Sequence, residues 1–456
     1  MEDWLRKYID EKIEPRFTGG NSCHSALSPV GSAAGTAGSQ DAQEIQSVNR
    51  SARCVLCRGT KMLCGKERCP VIARAYHRAK TAPLIDRTNI DGTSPPAVFI
   101  GRYGYPYVSV GPLIPPVHGD TMIYDLPELW LRQGVDIDQF IHFRSNLVRG
   151  KTLVNIFDLE KDRIVEDTRY MAMANNPTDM EAEFTKKPQG RLVIDDDVPP
   201  FGPSAPLKKL DAGTLKLDHR IERAFCDTDL LAAEAVKTLY RDGTYVSKIQ
   251  RAFSVGAFGL KKRRRFVPTR WSITAVDSML GENLKKSTKE APLINEFRVY
   301  EHHSLDNNWI VLMLPTSWRY ELIEAWYPNT AWNPYGKDVA IMSSHEFFEG
   351  RKTYAEIGGC YYAARLAVNE CLTRERRQAG VVILREALPG YILPVGVWNV
   401  RENVRAAVAA RPYKFPTLDM AFEYIGAALK IPIKQWMAHS SVLHDYIYQR
   451  RIEDYT

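Results

Sequence analysis

The spacing of apolar and polar residues divides the chain into helical and extended segments. Apolar residues at helical spacing predict a helix over 70–80, a helical region over 125–147 and a long helix over 354–378. Mostly apolar runs over 307–318 and 379–388 predict strands that are buried on at least one face. The segments RENVRAAVAARP and TLDMAFEYIGAALK are further predicted helices. Strands and helices without a regular βαβ rhythm favour an α+β fold.

Two polar segments suggest domain boundaries. Residues 18–48 are rich in Gly, Ser and Ala, which predicts a flexible linker after an N-terminal helix over 1–15. Residues 195–213, rich in Asp and Pro, predict a second linker, followed by a helix that Asp229 would cap and Gly243 would end. The predicted units are an N-terminal helix and linker (1–48), a four-cysteine module (49–80), two α+β domains (81–195 and 214–440) and a tail (449–456).

Composition limits the class of protein and leaves the function open. With 45% hydrophobic and 25% charged residues, the 456-residue chain resembles ordinary soluble proteins of two or three domains. No run approaches the roughly 18 apolar residues that span a bilayer, and the first residues lack a signal-peptide core. We therefore expect a cytoplasmic protein with no membrane partner. The net charge of +7 permits a polyanionic partner.

Four of the eight cysteines lie in the segment CVLCRGTKMLCGKERCP. Cys54 and Cys57 have the C-x-x-C spacing of a zinc knuckle, and Cys64 and Cys69 supply a second pair of thiolates. Four such ligands complete a tetrahedral site, so the spacing predicts a structural Zn²⁺. The alternatives are an iron–sulfur cluster, a redox C-x-x-C or free structural cysteines. Zinc loops often present basic residues to nucleic acid, and the candidates in this one are Arg53, Arg58, Lys61, Lys66 and Arg68.

The segment SVGAFGLKKRRRFVPTRWSITAVDS combines glycines, consecutive cations and a tryptophan, as proteins that bind nucleic acid do. A helix N-terminus is an anion site, so we expect phosphate near Thr269, Arg270 and Ser272. The other predicted nucleic-acid contacts are Lys261, Lys262, Arg263, Arg264, Arg265, Arg351 and Arg365. The alternative is that the basic run is a solvated loop, that Trp271 lies in the core and that Arg270 pairs with an internal carboxylate.

The last eight residues, QRRIEDYT, match most of the interaction box Q-x-x-h-x-x-a-a that binds the sliding clamp (PCNA). One 3₁₀ turn would place Ile452 and Tyr455 on the same side, to fill a hydrophobic pocket, while the Gln449 amide enters a polar one. Thr456 replaces the second aromatic residue. The alternative is an ordinary polar tail.

The cysteine cluster, the tail and the segments VFIGRYGYPYVSVGP, FVPTRWSITAVDS, GGCYYAARLAVNE and LREALPGYILPVGVWNVRENVR together resemble the archaeal Nre family of DNA repair proteins, NreA type. The resemblance runs from about residue 50 to the end of the chain. It implies a cytosolic archaeal protein that repairs DNA damage and is recruited to the sliding clamp. It also implies the zinc and clamp-binding residues named above, and we expect a nuclease activity.

A metal-dependent nuclease needs carboxylates that hold Mg²⁺ or Mn²⁺ against the scissile phosphate. Asp277, Glu356 and Asp120 are the candidate catalytic acids, and Asp125, Glu321, Glu324 and Glu386 are the other acids near the motifs. The sequence carries no Walker A loop, G-x-S-x-G elbow, H-E-x-x-H zincin or zinc-deaminase signature. The leading hypothesis is a DNA-binding repair protein that is recruited to the sliding clamp, with a metal-dependent nuclease activity left open. A non-catalytic DNA- or nucleotide-binding adaptor is the second, and an RNA-processing protein is the third.

Overall fold

The structure is a computed structural model that describes residues 56–66, 68–190, 202–333 and 336–448. Its helices are α1 (Pro70–Ile85), α2 (Pro127–Trp130), α3 (Ile137–Asn146), α4 (Arg163–Met173), α5 (His219–Cys226), α6 (Ala232–Arg241), α7 (Val246–Ser254), α8 (Thr269–Glu290), α9 (Gly359–Glu375), α10 (Trp398–Ala409), α11 (Leu418–Ala428), α12 (Ile433–Ala438) and α13 (Ser441–Tyr448). Its strands are β1 (Asn89–Ser94), β2 (Val98–Ile100), β3 (Tyr107–Ile114), β4 (Val148–Asn155), β5 (Thr178–Phe184), β6 (Ser204–Ala212), β7 (Phe297–Ser304), β8 (Asn307–Leu314), β9 (Arg319–Trp326), β10 (Ala340–Glu346), β11 (Gly380–Ala387) and β12 (Tyr413–Phe415). The predicted α+β class is confirmed.

The first six strands form one mixed sheet, ordered β1-β5-β6-β4-β3-β2. Its neighbours are antiparallel except β4 and β6, which run parallel. Residues of β5 alternate between a buried and a more exposed face, whereas β3 alternates only over its first four residues and is buried on both faces from Gly111 onward, where Leu113 packs with Ala97 and Leu147. The buried face packs against α4, α7 and α8, through residues such as Val110, Val154 and Ile249.

The second sheet, ordered β10-β9-β11-β8-β7-β12, is covered on both faces. Every residue of its central strand β11 is buried, which explains the continuous apolar run in the sequence. One face packs against α9 and α10 through residues such as Val381 and Ile383. The other face packs against α11–α13 through residues such as Val382 and Leu384.

Aromatic residues of both halves meet in one further core. Trp130 of α2 contacts Trp398 of α10, with ring centroids 4.7 Å apart, and Phe140 of α3 packs beside both. Trp326 of β9 belongs to the same cluster. The two sheets and their helices therefore share a packed interface.

Several predicted elements are confirmed, among them α1, β8, β11 and the long helix α9. The linker predicted over 195–213 is wrong in part, because residues 204–212 form β6, which pairs with β4 and β5. Asp229 does not cap α6. That helix begins after Leu231, and the Asp227 carboxylate accepts hydrogen bonds from the N–H groups of Asp229 and Leu230 in the preceding turn.

The helical region predicted over 125–147 is divided into α2 and α3. Gly134 ends the first part with φ +66°, a conformation that favours glycine. Asp136 then begins α3 with a capping box. The Asp136 carboxylate accepts a hydrogen bond from the backbone N–H of Gln139, and the side-chain oxygen of Gln139 accepts one from the backbone N–H of Asp136.

Within the described residues, none of the helices combines the length and the apolar character that crossing a bilayer requires.

Candidate nucleic-acid interface

Helices α8, α9 and α10 run parallel, so that their N-termini lie at the same end. Thr288 near the end of α8 contacts Thr373 near the end of α9, with 3.3 Å between the hydroxyl oxygens. At the other end, a Cβ on Gly359 would lie 3.2 Å from Thr274 Oγ1 and 3.1 Å from Val397 Cγ2. Glycine therefore fits the point where α9 begins between its two neighbours.

The three N-termini attract negative charge. The residues that precede the helices are Pro268, Gly358 and Val397, and no described side chain caps any of them with a hydrogen bond. Each helix dipole places roughly half a positive charge at its N-terminus. A helix N-terminus with this polarity favours an anionic ligand such as phosphate.

Arg270 is exposed at the first turn of α8, as phosphate binding requires. No hydrogen bond or ion pair joins its side chain to another described residue. The alternative that Arg270 pairs with an internal carboxylate is therefore wrong. The Thr269 hydroxyl accepts a 2.9 Å hydrogen bond from the Ile100 N–H, and the Ser272 hydroxyl donates to the Gln250 carbonyl. Ser272 is fully buried, so its predicted contact with nucleic acid is corrected to a structural bond between α8 and α7.

Trp271 lies at the border between core and surface. It is half-buried, and its ring centroid lies 5.2 Å from that of Tyr105 in the loop between β2 and β3. This loop, GRYGYP, also carries Arg102 and Tyr103, and the side chain of Tyr103 is 83% exposed. In the sequence analysis, the segment VFIGRYGYPYVSVGP supported only the family resemblance, although Arg102 among three tyrosines was a signal for nucleic-acid contact.

A buried ion pair lies near Cys360, in the first turn of α9. Arg385 of β11 donates a 2.9 Å hydrogen bond to Glu324 of β9, and its guanidinium stacks on the Trp326 ring. Burial raises the pKa of the Cys360 thiol in α9 well above its usual value, although the positive charges of Arg385 and Arg270 act to lower it. The thiol is therefore protonated at neutral pH and is unsuited to nucleophilic attack.

The basic run divides into an exposed and a buried part. Lys261, Lys262 and Arg263 form an exposed 3₁₀ turn that is free to meet a polyanion. Arg264 is buried, because its guanidinium donates to the carbonyls of Gly259, Phe225 and Asp227 at 2.7–2.8 Å. Arg265 is half-buried beside it. The prediction that all five residues contact nucleic acid is therefore corrected for Arg264.

Two further predicted contacts are internal. Arg365 of α9 is 2% exposed, and it pairs with Glu346 at 2.8 Å and with Glu282. Arg351 donates to the His345 carbonyl at 2.7 Å and to Glu356 at 2.8 Å. Both arginines join elements around the second sheet, so we correct their assignment to nucleic-acid binding.

Asp277 is fully buried in a structural ion pair. Its two carboxylate oxygens lie 3.0 Å from Arg401 Nη1, and Gln250 donates to it at 2.8 Å. Burial raises the pKa of Asp277 to about 6, against the lowering effect of Arg401. A catalytic carboxylate must reach substrate or metal, so the predicted catalytic role of Asp277 is corrected to a structural one.

The other two candidate acids lie elsewhere. Glu356 pairs with Arg351 and accepts a 2.7 Å hydrogen bond from Ser344, and Asp120 accepts from the Met122 N–H at 3.0 Å. The remaining acids also have their own partners: Asp125 with Arg144 and Arg251, Glu321 with Ser440–Val442, Glu324 with Arg385, and Glu386 with Lys430 and Ile431. Over the described ranges, no three metal-ligating side chains come together.

The cysteine segment shows one feature of a metal site. The N–H groups of Leu63, Gly59, Lys61 and Met62 surround the Cys57 sulfur and lower its thiol pKa, as in a metal knuckle. Gly59 and Gly65 both have φ +71°, the tight turns that such a loop needs. Cys64 and Cys69 are half-buried, Cys54 lies outside the described residues, and the three described cysteines do not form a cluster.

The same segment is held against the body of the protein. Arg68 forms a bidentate 2.7 Å ion pair with Asp138 of α3, and Lys66 donates to the Ile392 carbonyl at 3.3 Å. Lys66 is buried by its contact, which corrects its suggested role in binding nucleic acid, whereas Arg68 is exposed and its suggested role stays a prediction. Arg58 and Lys61 remain exposed. The predicted clamp-binding residues Gln449, Ile452 and Tyr455 lie beyond the described residues.

Taken together, the fold and site define an α+β protein with an anion-attracting site where three helices begin, bordered by cations and aromatic rings. Comparison with known proteins gives its family. The description "Archaeal Nre, N-terminal" matches residues 63–333, and "Archaeal Nre, C-terminal" matches residues 346–455. The chain belongs to the archaeal Nre family.

Curated relatives agree with this assignment. The chain is 39% identical over 391 residues to DNA repair protein NreB of Archaeoglobus fulgidus, covering 86% of this chain and 96% of that protein. It is 34% identical over 390 residues to DNA repair protein NreA of the same organism, covering 85% and 96%. It is 36% identical over 321 residues to DNA repair protein NreA of Haloferax volcanii, covering 68% and 76%. No solved structure matches the chain.

Proposed function

We propose that the protein is a DNA repair factor that binds DNA at the N-termini of α8–α10 and is recruited to the sliding clamp by its tail. One observation carries this proposal. Besides the cysteine cluster and the tail, the family resemblance rests on four segments, and these four meet at this site, through Ile100 to Thr269, Thr274 to Gly359, and Gly359 to Val397. Segments far apart in the chain thus surround one exposed arginine, Arg270, where helix dipoles attract phosphate.

Recruitment would make a modest DNA affinity sufficient. A protein tethered to the clamp experiences a high effective concentration of the DNA that the clamp encircles. The tail supplies the tether through Gln449, Ile452 and Tyr455, and the body supplies the phosphate contact through Arg270. A membrane partner has no part in this proposal.

The placement of the acids favours binding over cleavage. A nuclease that uses Mg²⁺ or Mn²⁺ needs converging carboxylates, whereas the three candidate acids and the four other acids near the motifs are each engaged separately. The non-catalytic adaptor is therefore the leading form of the proposal, and a metal-dependent nuclease is the second.

We expect the purified protein to bind end-labelled single-stranded, duplex or forked DNA in EDTA and to leave it uncut when Mg²⁺ or Mn²⁺ is added. Native gels measure the binding, and denaturing gels measure the cutting. Metal-dependent cutting that co-purifies with the protein through successive columns would make a nuclease the better-supported function and the non-catalytic adaptor the second. Failure to bind any of the three DNAs would contradict the proposal itself.

We further propose that Cys54, Cys57, Cys64 and Cys69 hold a structural Zn²⁺. The amide groups around the Cys57 sulfur fit this role because they stabilise the thiolate that a metal needs. Bound zinc would fix the loop from which Arg68 reaches Asp138.

Elemental analysis should find about one zinc per chain, because four thiolates complete one tetrahedral site. Cys57→Ser should lower the zinc content sharply. The matched control is Cys226→Ser, which alters an exposed cysteine outside the cluster and should leave the zinc content unchanged. A wild-type protein without zinc, or one with a visible iron–sulfur absorption band, would contradict the zinc site.

A further inference from the structure

The outer face of the first sheet is open where β3 begins and β4 ends, beside the Arg270 site, and is covered further along by the cluster of Leu113, Ala97 and Leu147. Along β3 and β4, the side chains of Val108, Val110 and Val154 enter the core, so those between them point outward. Tyr107 is 56% exposed and Leu153 is 64% exposed on this outer face. The pairs Tyr107–Asn155 and Ser109–Leu153 place them on neighbouring strands of the same surface.

Arg149 of β4 lies across this surface. Its guanidinium stacks 4.1 Å from the Phe99 ring centroid, and Nη2 donates to the Ser109 carbonyl at 3.1 Å. A Cβ at Gly101 would lie 3.3 Å from Nη2, so the glycine leaves room for the guanidinium. Its Nε has no hydrogen-bond partner among the described residues, and burial lowers the pKa of Arg149 to about 10.

Two lysines add positive charge to the same place. Lys151 follows Arg149 on the outer face, and burial lowers its pKa, as do the charges of Arg149 and Lys186. None of the three cations has a carboxylate within ion-pair distance in the part of the chain that the structure describes. Like charges held together without a counterion repel one another, so an anionic ligand would relieve the repulsion.

The β1–β5 side of the outer face is acidic. Asp179 and Glu181 of β5 and Asp91 of β1 lie there, and His118 bridges Asp91 and Asp179 at 3.0 and 3.5 Å. Lys208 of β6 pairs with Glu183. An anion would therefore be repelled from the β1–β5 side and attracted to the β2–β4 side.

We propose that the outer face of β2–β4 is a platform for single-stranded DNA, on which Arg149, Lys151 and Lys186 hold phosphates and Tyr107 stacks on a base. This inference rests on the proposed function and extends it, because the loop 101–106 joins the platform to the Arg270 site. Exposed rings can stack only on bases that are unpaired, whereas duplex DNA offers mainly its backbone. The combination of cations with Tyr107 and Leu153 therefore specifies a single strand.

The test is fluorescence anisotropy with labelled oligothymidylate and the full-length protein, over a series of salt concentrations. Lys151→Ala should weaken binding several-fold and lower the slope of log affinity against log salt by about 0.7, as expected for one lost phosphate contact on a single strand. Tyr107→Ala should weaken binding about fivefold to a hundredfold without changing that slope, because stacking releases no ions.

The matched controls are Lys434→Ala and Tyr413→Ala, which alter exposed residues of the same types beside the second sheet. They should bind as the wild type does. Unfolding curves should be the same for all four variants, since Lys151 and Tyr107 are only partly buried.

The outcomes separate the two proposals. If Lys151→Ala and Tyr107→Ala bind like the wild type while Arg270→Ala binds more weakly, the platform is overturned and the proposed function stands. If unlabelled duplex competes better than single-stranded DNA and Tyr107→Ala has no effect, the single-strand assignment is overturned. If the wild type binds no DNA, the proposed function fails and the platform fails with it.

Discussion

Arg401→Ala should lower the free energy of unfolding by about 3–5 kcal/mol, the cost of leaving a buried charge without its partner. Arg401 and Asp277 are both fully buried between α10 and α8. The pair belongs to a network, because Arg401 also contacts Glu402, and Glu402 contacts Arg405. Removal of the guanidinium therefore affects more than one contact.

Urea unfolding of the variant and the wild type measures this change. The matched control is Arg411→Ala, which removes an exposed arginine just after α10 and should stay within about 0.5 kcal/mol of the wild type. Replacing both members of the pair, as Arg401→Met with Asp277→Leu, should recover part of the loss. An Arg401→Ala protein as stable as the wild type would show that the pair does not join these helices.

Removal of residues 449–456 should abolish binding to the sliding clamp and leave the fold intact. Ile452 and Tyr455 would each contribute about 1.5–3 kcal/mol on burial in the clamp pocket, so their loss corresponds to a factor of a hundred or more. The preceding helix α13 should stay in place. Glu321 accepts hydrogen bonds from the N–H groups at the start of α13, and Arg319 pairs with Asp445 of the same helix.

Pull-down by the immobilised clamp measures this loss. Two substitutions within the tail sharpen the test. Ile452→Ala with Tyr455→Ala should behave like the truncation, whereas Arg451→Ala with Glu453→Ala, at positions that the box leaves unspecified, should bind like the wild type. Clamp binding that survives the truncation would assign recruitment to another part of the chain.

The sequence predicted elements well where the signal was local. The apolar run of β11 and the proline at the start of α1 were sufficient to place those elements, because burial and the fixed φ of proline act within a few residues. Strand β6 was taken for part of a linker because residues 195–213 are rich in Asp and Pro. Its strand character comes from pairing with β4 and β5, which are distant in sequence.

The site was predicted in part. The position of Arg270 at a helix N-terminus follows from local sequence, and the structure places it there. The meeting of three helix N-termini, and the burial of Arg264 and Arg365, depend on contacts between residues far apart in the chain. A cation in the sequence looks the same whether it faces solvent or pairs with a buried glutamate, so spacing alone could not separate them.

The most direct test of the proposed DNA site compares Arg270→Ala with Arg377→Ala in a DNA-binding titration. Both residues are exposed arginines, but Arg377 lies just beyond the C-terminus of α9, at the opposite end of the parallel helices. If Arg270 contacts a phosphate through charge-assisted bonds, Arg270→Ala should weaken binding by about 1–3 kcal/mol, and Arg377→Ala should leave it unchanged. Equal affinities for wild type, Arg270→Ala and Arg377→Ala would contradict DNA binding at the N-termini of α8–α10.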